Sequence, residues 1–71
     1  MNPYDYLDVL SRLQEQLPRA LRSKVMVSVR PGEFGDLPTA IYRAGGRVFE
    51  FQVREDGLIS EMDLAHLCAV L

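Results

Sequence analysis

At 71 residues, 48% hydrophobic and 25% charged, the chain is too short for two cores and too apolar to be disordered. Its single cysteine excludes an internal disulfide, and no apolar run approaches the ~20 residues of a membrane span. The formal net charge of -2 is unevenly laid out. Residues 1–18 carry Asp5, Asp8 and Glu15 against Arg12. Residues 19–54 carry Arg19, Arg22, Lys24, Arg30, Arg43, Arg47 and Arg54 against Glu33, Asp36 and Glu50. The remainder carries Glu55, Asp56, Glu61 and Asp63 with no cation. The middle is basic and the two ends are acidic.

Asn2 followed by Pro3 is a helix start, because asparagine caps free amides and proline loses nothing at the first helical position. Tyr6, Leu10, Leu13 and Leu17 recur at helical spacing with Val9 beside them, so the first helix has one apolar stripe. Pro18 ends or kinks it near Leu17, or opens a short turn through Arg19 to Arg22; the residues do not separate these cases.

Lys24 to Arg30 alternates throughout. Val25, Val27 and Val29 fall on one face, and Met26, Ser28 and Arg30 on the other, as in a strand. Pro31 to Pro38 is rich in turn formers and reads as a loop. Thr39–Arg43 and Arg47–Arg54 read as a second and third strand joined by the Gly45-Gly46 turn. That hairpin pairs Tyr42 with Phe49 and Ala40 with Phe51. Asp56-Gly57 stops the third strand. Ser60-Glu61-Met62-Asp63 then opens the last helix with a near capping box, whose stripe is Leu64, Leu67, Cys68 and Leu71, with Ile59 as a staple on Leu64.

The expected fold is α+β: a two-layer α-β-β-β-α sandwich with a three-stranded antiparallel sheet and both helices on its Val27, Tyr42 and Phe49 face. The other face stays open. It carries Met26, Ile41 and Val48 among Arg30, Arg43, Glu50 and Arg54, an apolar centre with a charged rim of the kind protein interfaces use. Phe34, an aromatic in a Gly-rich loop, is a second candidate anchor, although such a residue more often folds back over a sheet end. An exposed sheet face with scattered apolar residues is also ordinary in antiparallel sheets.

Catalytic chemistry finds little footing. His66 and Cys68 are two positions apart on a helix and point to different sides, so they form no local thiolate–imidazole pair. The acids from Glu55 to Asp63 lack the alternating ligands of a calcium loop, and Gly32, Gly35, Gly45, Gly46 and Gly57 match no phosphate-binding spacing. No enzyme activity, metal or cofactor is expected.

The order helix, three strands, helix resembles that of the double-stranded RNA-binding domain, a resemblance of topology alone. It implies binding to phosphates through a basic N-terminus on the last helix, where this chain has Ser60-Glu61-Met62-Asp63. Nucleic-acid binding by the sheet arginines is therefore the alternative. The leading expectation is a small protein-binding module: an adaptor, a subunit or an inhibitor of a larger machine, such as phages encode. It would act through self-association into a homodimer or through a larger target. Met1 to Tyr6 lacks the basic and apolar regions of a secretion signal, and with the single cysteine this gives the expectation of a soluble protein of the reducing cytoplasm.

Overall fold

The computed structural model describes residues 6–71. The helix start read at Asn2 and Pro3 lies outside them. The order is α1 (Tyr6–Gln16), α2 (Arg19–Arg22), β1 (Met26–Arg30), β2 (Thr39–Ala44), β3 (Arg47–Gln52) and α3 (Glu61–Val70). The three strands form one antiparallel sheet in the order β1-β2-β3.

Pro18 does both things the sequence allows. It stands with extended backbone (φ -53°, ψ 141°) just after α1 and caps α2. Its carbonyl accepts from the Leu21 amide at 2.9 Å. The amides of Lys24 and Val25 then both donate to the Leu21 carbonyl at 3.0 Å, so these residues close a helical turn and β1 begins only at Met26. At the far end the Val53 amide still donates to the Pro38 carbonyl opposite it at 2.9 Å, but proline has no amide to return and the Arg54 amide turns to Leu58 at 2.8 Å, so β3 ends at Gln52. Arg54 thus lies past the sheet.

The hairpin register matches the alternation in the sequence: Tyr42 faces Phe49 and Ala40 faces Phe51, with Val27 and Val29 completing these rows on β1. Gly45 (φ 57°) and Gly46 (φ 79°) supply the two left-handed residues of the turn. One buried cluster joins Val9 and Leu13 from the first helix, Leu17 just after it, Val25 just before the sheet, Val27, Ala40 and Tyr42 from the sheet, and Val53, Ile59 and Leu67 from the C-terminal part. Val9 sits at the centre of the α1 stripe, with Leu10 at its half-buried margin. On α3 only Leu67 is fully buried. Leu64 and Cys68 are half-covered and Leu71 is exposed, so the expected stripe ends a turn early.

Side-chain hydrogen bonds fasten α1 to the segment before α3. The Gln16 amide grips Ile59 from both sides, donating to its carbonyl at 2.9 Å and accepting from its amide at 3.2 Å. Arg12 donates to the Asp56 carbonyl at 2.9 Å. Gly57 lies beneath that arginine, where an added Cβ would come within 3.1 Å of its Cδ. Tyr42 is fully buried and its hydroxyl has no hydrogen-bond partner among the described residues; burial pushes its pKa up to about 12.

Candidate functional site

The outer sheet face is built from three cross-strand rows, because residues paired across antiparallel strands share a face. They are Met26, Arg43 and Val48; then Ser28, Ile41 and Glu50; then Arg30, Thr39 and Gln52. Met26 is 69% exposed and Val48 54%, so the first row shows two apolar side chains to solvent with Arg43 between them. Ile41 is only half-exposed, as befits a central strand with a neighbour on each side. It contributes less apolar surface than its place on the face suggests.

The charges of this face are partly spent on one another. Arg30 donates to Glu50 at 2.6 Å, spanning from β1 to β3 over the central strand. Arg54 pairs with Asp56 at 2.7 Å in the turn after β3, where Asp56 also accepts from the Leu58 amide at 3.0 Å. This corrects the assignment of Arg54 to the face: it is a turn residue held by its neighbour. Arg43 has no ion-pair partner among the described residues.

At the hairpin end the face runs into an open groove of about 710 Å³, within the size range of binding clefts. The hairpin overhangs the last β1–β2 pair, Met26 with Arg43, and the groove occupies the notch between this overhang and the start of β1. Met26 and Val48 supply its apolar side chains, and Lys24 and Arg43 supply charge. Arg47 also borders the groove, but its guanidinium is turned to the covered side of the sheet, 5.7 Å from the Phe49 ring centroid and donating to the Val70 carbonyl at 3.2 Å. The sequence places Lys24 and Arg47 within its basic middle but does not reveal the notch. The notch exists because β1 starts late, and that depends on the Leu21 carbonyl.

Phe34 stands elsewhere. The hairpin and Met26 share one end of the sheet, whereas the loop bearing Phe34 joins Arg30 to Thr39 at the other. Phe34 does not fold back over the sheet but is fully exposed. It also has a left-handed backbone, φ 53°, followed by Gly35 at φ 82°, in a turn closed by the Asp36 amide on the Glu33 carbonyl at 2.9 Å. The loop beneath is tightly drawn. A Cβ on Gly32 would overlap the Asp36 carbonyl oxygen, and the Gln52 amide donates to Leu37 and Pro38 at 2.9 and 3.2 Å.

His66 lies edge-on to Phe51 with centroids 6.3 Å apart, and Cys68 is half-buried on the same helix. Among the described residues no group of three or more His, Cys, Asp or Glu is placed to hold a metal ion, and no helix is long and apolar enough to cross a membrane. Comparison with protein-family models, curated proteins and solved structures finds no match for this chain.

Proposed function

We propose that this chain is a non-enzymatic protein-interaction module, an adaptor, subunit or inhibitor of a larger assembly in the reducing cytoplasm, that docks through its outer sheet face. The observation carrying this reading is the exposed row Met26–Arg43–Val48, which opens into a groove with both apolar and cationic walls. Interfaces favour apolar side chains at the centre with arginine and polar groups around them. Phe34 offers a separate anchor at the opposite end of the sheet.

Nucleic-acid binding by the same arginines has less support. Arg30 and Arg54 are already paired with carboxylates, which leaves Arg43 as the uncompensated arginine of the three. The last helix also presents Glu61 and Asp63 in its first turn, where a phosphate would be repelled. The test is capture of a binding protein from nuclease-treated native lysate by the wild-type chain and by Met26→Asp with Val48→Asp. Both positions are exposed, so the double variant should keep its fold by circular dichroism while capture is lost. Met26→Ser with Val48→Thr is the milder substitute if the acids unfold the sheet. Capture unaffected by either pair in a folded chain would rule out this face.

A further inference from the structure

The groove at the hairpin end has a one-sided charge. Lys24, Arg43 and Arg47 line it and no aspartate or glutamate does, although the whole chain is net negative at -2. Lys24 and Arg43 have no ion-pair partner among the described residues, so their charge is available to a ligand. Arg47 is engaged on the covered side by Phe49 and the Val70 carbonyl, so the cations turned to the groove are Lys24 and Arg43. Between these cations the wall is apolar, with Met26 and Val48.

Resting on the protein-binding reading above, we propose that this groove receives a short acidic segment of a partner protein, its carboxylates on Lys24 and Arg43 and its apolar side chains against Met26 and Val48. Complementary charge would steer the encounter and reject basic segments, while the apolar contacts would slow release. Two other occupants fit less well. A single-stranded nucleic acid would find no open aromatic face in the groove on which to stack its bases, because the Phe49 ring is half-buried with Arg47 over it. A second copy using the same groove about a twofold axis would set these cations against their own equivalents.

The experiment is an amide chemical-shift titration of the isotope-labelled chain with a short blocked peptide of alternating glutamate and valine. A matched peptide of lysine and valine and an oligodeoxythymidine serve as comparisons. The expected result is saturable shifts confined to Lys24–Val27 and Arg43–Val48 with the glutamate peptide alone. Lys24→Glu with Arg43→Glu should weaken them by about tenfold or more. No shifts at these residues, equal response to the lysine peptide, oligodeoxythymidine saturating the same residues, or concentration-dependent dimerisation through them would each overturn the proposal. If the peptide fails while Met26 and Val48 still govern capture from lysate, the acidic-segment assignment falls and the interface reading stands.

Discussion

Phe34 holds a left-handed backbone that bulky residues adopt only at about 1 to 3 kcal/mol, and its ring, wholly in water, buries nothing on folding that would offset this. Phe34→Gly should therefore raise stability in urea unfolding by about 1 kcal/mol, with the neighbouring Gly35 left in place. An unchanged or lower midpoint would mean that the ring contributes to the fold. Tyr42 is the inverse case, a side chain whose ring is needed and whose hydroxyl is not. Removing a buried, unpaired hydroxyl should make Tyr42→Phe neutral to about 1 kcal/mol more stable. The same burial makes wild-type stability alkali-sensitive. Because the folded pKa, about 12, lies above the unfolded value of 10, the unfolded state loses its proton first. Stability is then full below pH 10 and falls between pH 10 and about 12, and this component of the fall should vanish in Tyr42→Phe.

At the scale of elements, local caps and turns decide where each segment ends. The Ser60 hydroxyl accepts from the Asp63 amide at 3.1 Å and opens α3, a helix with one fully buried residue, Leu67. With so little burial to hold it, Ser60→Ala should cost about 1 kcal/mol in thermal or urea unfolding, and a loss near zero would show that the cap is redundant. This cap and the Gly45-Gly46 hairpin were legible in the sequence, because each is specified by residues next to one another. So was the parity of the sheet: a period of two puts Val27, Tyr42 and Phe49 on one face and Met26, Arg43 and Val48 on the other. The strand ends were not legible. β1 starts two residues late because the Leu21 carbonyl captures the Lys24 and Val25 amides, and β3 stops two residues early because Pro38 has no amide to return to Val53 and the Arg54 amide turns to Leu58. The same local bonding carries Arg54 off the face and into a turn with Asp56. The Gln16 clamp on Ile59 spans 43 residues and has no local signature at all.

For the whole molecule, the division is between a covered and an open side of one sheet. Residues of α1 and α3 share a core with the Val27, Ala40 and Tyr42 side, while Met26, Arg43 and Val48 remain exposed on the other. Of the sequence's basic middle, Arg30 and Arg43 lie in strands on this open side; Arg30 is paired with Glu50, so the unpaired charge of the face is Arg43 at the hairpin end. The most direct test is the affinity of the captured partner for the wild-type chain and for the Met26→Asp, Val48→Asp variant, measured after nuclease treatment and with both chains verified as folded. The account predicts a protein partner that survives nuclease and loses at least about tenfold in affinity with the variant. Equal affinity for the two folded chains, or capture that disappears with nuclease, would contradict it.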